Sequence, residues 1–217
     1  MFESEQKDKS SAHLSSEILY KIEVSANRYD LLCLEGLGLA LKVFLKKIEM
    51  PIFKALNTYP ENERVLIVEK SVDPVRPFGL AAILKGISFT DDTLRGFMEL
   101  QEKLHNNICR GRKLVSMGTH DLDTIKGPFY YRALKPEEFK FVPLNRTEEV
   151  DGNGMMKVLK EDPKLGKYLY LLEKSDKYPL MMDSNGVVMS VPPIINSQHT
   201  KMTINTKNVF LDITGLD

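Results

Sequence analysis

Several features are scarce in this 217-residue sequence, and each scarcity removes a class of protein. The two cysteines, Cys33 and Cys109, form no CxxC and no dense framework. That excludes a disulfide-stapled secreted domain and a zinc ribbon, and it fits a reducing compartment. Net charge is absent, because 30 Lys and Arg balance 30 Asp and Glu. A protein that coats nucleic acid through a basic surplus is therefore excluded; a site that handles only the tip of an RNA is not. No apolar run approaches the ~20 residues of a membrane span, and the polar N-terminus lacks the charged-then-apolar order of a signal peptide. There is no internal repeat, no GxSxG and no papain-like cysteine context. What remains, 42% hydrophobic and 28% charged, is the composition of a cytoplasmic globular protein with one large domain, or a domain and an appendage.

Along the chain, residues 1–15 (MFESEQKDKSSAHLS) are polar and read as a disordered tail. Ile18, Tyr20, Ile22 and Val24 alternate as a strand would. Asp30 is placed to cap a helix in which Leu34, Leu37, Leu41, Phe44 and Ile48 form a stripe expected to be buried. Gly36 and Gly38 weaken that helix by roughly 1 kcal/mol each unless close packing needs them, and Pro51 is expected to end it. A polar segment from Tyr59 to Arg64 reads as a linker. The division is therefore 16–60 as a strand-helix region and 61–217 as a main domain. Strands are expected at 65–68, 78–84, 114–117 and 128–133, and short helices at 155–159 and 168–172. Thr90 caps a further helix, with Asp91 and Asp92 favourable against its dipole. The class is α+β, with mixed and largely antiparallel sheets flanked by helices.

The stretch from Asp183 to Thr214 organises the rest. Asn185-Gly186 favours a tight hairpin turn between two apolar runs. Pro192-Pro193 removes two backbone donors, so a strand must end there or lie at an edge. In the strand expected at 207–214, Phe210, Asp212 and Thr214 share one face. An acid and a hydroxyl beside a phenylalanine suggest a pocket wall.

Elsewhere the residues leave two readings open. Gln101 falls inside the apolar stripe of Leu94, Phe97, Leu104 and Ile108, where an amide must find partners; a core glutamine bonded to backbone satisfies that as well as a site residue does. Glu102 is a boundary residue or a solvated one. Arg110, Arg112 and Lys113 either complement a helix C-terminus or contact an anion. Asn196 after Pro-Pro-Ile-Ile is a turn residue or a functional amide. Cys109 has a thiol lowered by its basic neighbours or is a buried structural one. His105, His120 and His199 are scattered. His120-Asp121-Leu122-Asp123 is half a metal site or a solvated turn. Asn145-Arg146-Thr147 fits a glycosylation sequon that a cytosolic protein would not use.

Several ordered strings, namely ANRYDLLCLEGL, LQEKLH, GTHDLDTIKGPFYY, DSNGVVMSVPPIIN and TKNVFLDITG, resemble the beta subunit of archaeal and eukaryotic phenylalanyl-tRNA synthetase. The resemblance runs from about Ile18 to the end and includes the editing domain. It implies a fragment: residues 16–60 as a piece of the N-terminal structural region and 61–217 as the editing domain. The implied activity is post-transfer editing, in which the ester of mischarged Tyr-tRNA(Phe) is hydrolysed and tRNA is not aminoacylated. By resemblance, Asn196, Gln101, Glu102 and Arg112 lie at the ester. Ser190, Asp212 and Thr214 read the phenol hydroxyl, with Met181 shaping that end. Leu144 and Lys201 contact the terminal adenosine. Met181 replaces a leucine and Lys201 an arginine of the common pattern, and the lysine loses a planar bidentate donor. Editing needs no cofactor; ATP and magnesium belong to the whole enzyme, an alpha2-beta2 tetramer with a catalytic alpha subunit. The implied partners are the acceptor end of tRNA(Phe) and that alpha subunit, with no membrane. A module that binds the tRNA acceptor end, or docks a subunit, without hydrolysis is the alternative from another class.

Overall fold

The computed structural model describes residues 21–25, 27–54, 56 and 65–216. In chain order its elements are α1 (Leu34–Phe44), β1 (Leu66–Val68), β2 (Phe78–Leu84), α2 (Asp91–Asn106), β3 (Val115–Asp121) and β4 (Phe129–Leu134). Then come β5 (Lys140–Phe141), β6 (Val150–Asp151), α3 (Gly152–Lys160), β7 (Tyr178–Met182), β8 (Val188–Val191), β9 (Ile195–Asn196) and β10 (Val209–Gly215). One sheet has the order β1-β4-β7-β8-β9, with β1 and β4 parallel and the other neighbours antiparallel. A second, antiparallel sheet runs β2-β10-β3, and β5 pairs with β6. The class is α+β, as expected.

The alternation in β10 drives the packing of the two larger sheets. Phe210, Asp212 and Thr214 are buried on one face, while Leu211 and Ile213 on the other are half-buried. Phe210 meets Phe129 of β4 with ring centroids 4.2 Å apart, in a core shared with Tyr131, Met181 and Met189. A second core lies under α3, around Met155, Leu159, Leu180 and Ile194. Between β7 and β8 the chain turns through residues 184–186. The Gly186 N–H donates to Asp183 O (3.2 Å), and Gly186 alone takes the positive φ, +81°, that glycine tolerates. The Asp183 carboxylate completes the turn by accepting from the N–H groups of Asn185 and Val187, both at 2.9 Å. After Val191 the chain turns at Pro192-Pro193, and the Ile194 N–H donates to Val191 O (2.9 Å), so β9 folds straight back along β8.

α2 begins as expected. The Thr90 hydroxyl accepts from the Thr93 N–H (3.2 Å), and the Thr93 hydroxyl caps Thr90 N–H in return (2.8 Å). The helix ends at Asn106, so Ile108 lies beyond it and is exposed.

The N-terminal region departs from expectation. The strand at 18–24 is undescribed over 18–20 and irregular over 21–24. Asp30 lies in a short 3-10 turn paired with Arg28; the N-cap of α1 is Cys33, whose sulfur accepts from the Gly36 N–H at 3.4 Å. α1 stops at Phe44, well before Pro51. Gly36 is required, because a Cβ there would lie 1.9 Å from Asp30 O, whereas Gly38 stands in open space. The stripe is not buried: Leu34 and Phe44 are each 80% exposed, and Leu41 and Ile48 are exposed as well. The tail at 1–15 and the linker at 59–64 lie outside the described residues.

Candidate active site

β3 pairs with β10 along one edge only. The other edge leaves N–H and C=O groups that need partners, and side chains supply them. The Met117 N–H donates to His105 Nε2 (2.9 Å), and Met117 O accepts from Gln101 Nε2 (2.6 Å). Thr119 O accepts from Asn196 Nδ2 (3.1 Å), and the Thr119 hydroxyl donates to Gln101 Oε1 (3.4 Å). Gln101 is thus satisfied by backbone, as a core glutamine would be, yet it also faces a cavity. Asn196 sits on β9 and bonds a residue 77 positions away, so it is not a turn residue closing on itself. This edge fixes both amides to one strand.

Arg112 reaches the same place through an unusual backbone. Arg110, Gly111 and Arg112 have φ values of 50°, 62° and 63°, a left-handed turn that costs the two arginines about 1–2 kcal/mol each. His105 O holds it by accepting from the N–H groups of Gly111 (2.8 Å) and Arg112 (3.3 Å). The Arg112 guanidinium lies 4.7 Å over the Tyr168 ring. Its Nη1 donates to Ile194 O (3.0 Å) and its Nη2 to Glu102 Oε2 (3.3 Å). Of five donors, its Nε–H remains without a partner among the described residues. Burial pushes the Glu102 carboxyl up, but Arg112 and the Asn106 amide outweigh it, so Glu102 stays below its ordinary value. A carboxylate held low is a weak proton acceptor at neutral pH. Burial, then Arg112, lowers His105 to about 4. Its imidazole is neutral at pH 7, with Nε2 accepting and the ring proton on Nδ1.

Asp212 is the buried anion of the site, 1% exposed. Oδ1 accepts from the Gly118 N–H (2.7 Å); Oδ2 accepts from the Ser190 hydroxyl (2.7 Å) and His120 Nε2 (3.0 Å). Burial raises its pKa, and the bonds from His120, Ser190 and Gly118 more than reverse this, so it lies below the ordinary carboxylate range. Gly118 makes room: a Cβ there would stand 2.5 Å from Asp212 Oδ1. An ionised carboxylate offers about four acceptor positions. Three are used.

A cavity of about 950 Å³ joins these groups. Gln101, Glu102, Arg112 and Asn196 line it, as do Ser190 and Asp212, and Leu144 and Lys201. The Leu144 N–H donates to Asn196 O (2.9 Å), and Lys201 Nζ donates to Asn145 Oδ1 (2.9 Å). Two of the ten residues singled out by sequence do not reach the cavity. Met181 is 0% exposed in the core between the sheets, cross-strand from Ser190. Thr214 is bonded to Arg76 Nε and the Ser116 hydroxyl, both at 2.9 Å. Arg146, Lys164 and Lys167 also line the cavity, with Arg146 paired to Asp162 at 3.0 Å. Sequence reasoning treated His105 and His120 only as scattered histidines and missed Thr119 and Gly118; the odd-even pattern of β3 was a signal for Gly118, Thr119 and His120, and the one-turn spacing from Gln101 in α2 a signal for His105.

Cys109 is buried, and that raises its thiol, with Arg76 the opposing charge. Asp121 caps the Asp123 N–H (3.1 Å) and Asp123 binds Asn208, so the acidic loop is a bonded turn. Among the described residues, no group of three or more His, Cys, Asp or Glu could hold a metal ion, and no helix is long and apolar enough to cross a membrane.

Comparison with known proteins adds a second line of argument. The B3/4 domain matches residues 97–217, and the Phe-tRNA synthetase beta subunit B1 domain matches residues 1–47. The phenylalanine–tRNA ligase beta subunit of Mus musculus is 51% identical over 203 residues, covering 94% of this chain and 34% of the relative. The cytoplasmic beta subunit of Arabidopsis thaliana is 45% identical over 201 residues, covering 93% and 34%. A crystal structure of an N-terminal fragment of the phenylalanyl-tRNA synthetase beta subunit from Pyrococcus horikoshii matches with TM-score 0.81 and 35% identity, covering 88% of this chain and 54% of that one. The chain spans about a third of the length of these curated relatives.

Proposed function

The chain belongs to the phenylalanyl-tRNA synthetase beta-subunit family, and on that premise we propose that it edits: it hydrolyses the ester joining tyrosine to the terminal ribose of tRNA(Phe). The observation that carries this reading is Asp212, a buried anion with one acceptor position left over, in the same cavity as Arg112, Gln101 and Asn196.

A pocket selecting phenylalanine cannot strongly reject tyrosine, because an added hydroxyl gives only about 100-fold discrimination in an apolar site. A site built around a hydroxyl-binding anion has the reverse bias. The Ser190 proton is committed to Asp212, so Ser190 can only accept there, and the phenol O–H donates to Asp212. Phenylalanine would cover the anion and offer no donor. Such sites reject the analogue by roughly 10⁴–10⁵.

An aminoacyl ester is already activated, so water suffices as the nucleophile. The water oxygen bonds to the carbonyl carbon, the bond to the ribose oxygen breaks, and the ribose oxygen takes up a proton as the carboxylic acid forms. Gln101 and Asn196, both pinned to β3, position the water and the carbonyl. The spare Arg112 donors stabilise the developing oxyanion. Glu102, ionised and tied to Arg112, orients that guanidinium and the water. Leu144 and Lys201 receive the terminal adenosine, and Lys164 and Lys167 on the same cavity wall offer positive charge to the RNA backbone.

The test is deacylation of Tyr-tRNA(Phe) by this chain and by Asn196→Ala. The substitution is expected to lower kcat about 10²- to 10³-fold with little change in KM. Wild-type deacylation by Asn196→Ala would remove the assigned role. Tight binding of the acceptor end without hydrolysis by the wild-type chain would favour a binding module. In the longer protein, we assign the alpha subunit and tRNA(Phe) as partners, and tethering there supplies the effective concentration that a neutral surface does not.

A further inference from the structure

His120 is fully buried, and no step of the hydrolysis uses it. It sits on β3 directly across from Phe210, two residue pairs along the ladder from Gly118 and Asp212. Its ring tilts against Phe210 at 6.2 Å between centroids. The two ring nitrogens are both engaged, Nδ1 with the Thr200 hydroxyl (2.7 Å) and Nε2 with Asp212 Oδ2 (3.0 Å). Thr200 is itself 0% exposed. A carboxylate only accepts, so Nε2 carries a proton in either charge state of the ring. The apolar body of the ring completes the core against Phe210, while its two ends link Thr200 to Asp212.

We propose that His120 is a positioning residue for substrate choice: it holds the Asp212 carboxylate hydrogen-bonded and oriented, so that a ligand without a hydroxyl leaves the one remaining acceptor position of a desolvated carboxylate empty. This deepens the editing reading and rests on it. Rejection of phenylalanine depends on the charge of Asp212, because covering an ionised carboxylate costs far more than covering a neutral acid. Of the interactions that keep the carboxyl ionised against burial, the hydrogen bond from His120 is the largest. Without that donor, only the Ser190 and Gly118 bonds oppose burial, and the Asp212 pKa rises. A protonated Asp212 accepts a phenol less well and tolerates a bare phenyl ring better. The preference for tyrosine then falls from both sides, while Arg112, Gln101 and Asn196 still act on the ester.

Three variants test this, with kcat and KM measured on Tyr-tRNA(Phe) and Phe-tRNA(Phe) for each. His120→Leu is expected to lower the ratio of tyrosine to phenylalanine kcat/KM about 10- to 100-fold, the value of one hydrogen bond to a charge. Most of the loss is expected in KM for the tyrosyl ester. His120→Gln keeps an amide N–H for Asp212 and is expected to keep the ratio within about threefold of wild type. Thr200→Val removes only the hydroxyl that aligns the ring, and is expected to lower the ratio several-fold; it decides the matter if His120→Leu does not fold. A folded His120→Leu with the wild-type ratio overturns the proposal, as does equal loss in His120→Leu and His120→Gln. For Thr200→Val the overturning result is an unchanged ratio. A wild-type chain with no preference for tyrosine is a different failure, that of the editing reading itself.

Discussion

α1 and β10 invite comparison, because both carry a clear periodic pattern and the structure treats the two patterns in opposite ways. In α1 the apolar residues at helical spacing face outward, with Leu34 and Phe44 each 80% exposed. In β10 two polar residues on the alternating face, Asp212 and Thr214, are at most 1% exposed. Periodicity states which side chains share a face; the neighbouring element decides whether that face is covered. β10 is the middle strand of its sheet, with Phe210 against β4, so its face is closed by construction. No described element closes over the stripe of α1.

The comparison can be broken most sharply by deleting one ring from each region. Phe210→Ala is expected to lower unfolding free energy by about 3–5 kcal/mol, and Phe44→Ala to change it by no more than about 0.5 kcal/mol. Denaturant titration measures both, and comparable losses would mean that α1 is buried after all.

The next effect is pH dependence. His105 titrates near 6.5 when unfolded and at about 4 when folded. Between those values the unfolded chain binds the extra proton, so stability is full above pH 6.5 and falls as pH drops toward about 4. The loss is on the order of 2–3 kcal/mol. Asp212 and Glu102 are lowered carboxylates, so their contributions are lost only at lower pH. His105→Gln should flatten the slope between pH 6.5 and 4; an unchanged slope would assign it to another group.

Gly118→Ala sharpens the contrast within the second region. Its Cβ would press on Asp212 Oδ1, and the expected cost is about 1–3 kcal/mol, with loss of the tyrosine preference alongside. Retained preference in a folded variant would show that the carboxylate can shift freely. The smallest effect is at Lys201, whose exposed amine donates to Asn145. Lys201→Ala should raise KM for the tRNA substrate a few-fold and leave kcat alone.

Much of this arrangement was legible in the sequence. The alternation of β10, the Thr90 cap, the hairpin around Gly186 and the stop at Pro192-Pro193 are local signals, and local chemistry sets them. The amide in the apolar stripe of α2 signalled that Gln101 needed partners, but not that an edge strand would provide them. The rest depends on contacts distant in sequence. Asp212 meets Gly118 and His120 across more than 90 positions, and spacing carries no trace of such a meeting. Met181 and Thr214 share a face with Ser190 and Asp212, yet Met181 is sunk in the core and Thr214 is tied to Arg76 and Ser116, so neither reaches the cavity. Position in a motif gives adjacency, and only the packed sheets give access.

The most direct measurement is the rate at which this chain deacylates Tyr-tRNA(Phe) and Phe-tRNA(Phe) side by side. The account predicts rapid loss of tyrosine with phenylalanine left in place. Equal rates for the two esters, or faster loss of phenylalanine, would contradict the claim that the buried Asp212 selects a hydroxyl.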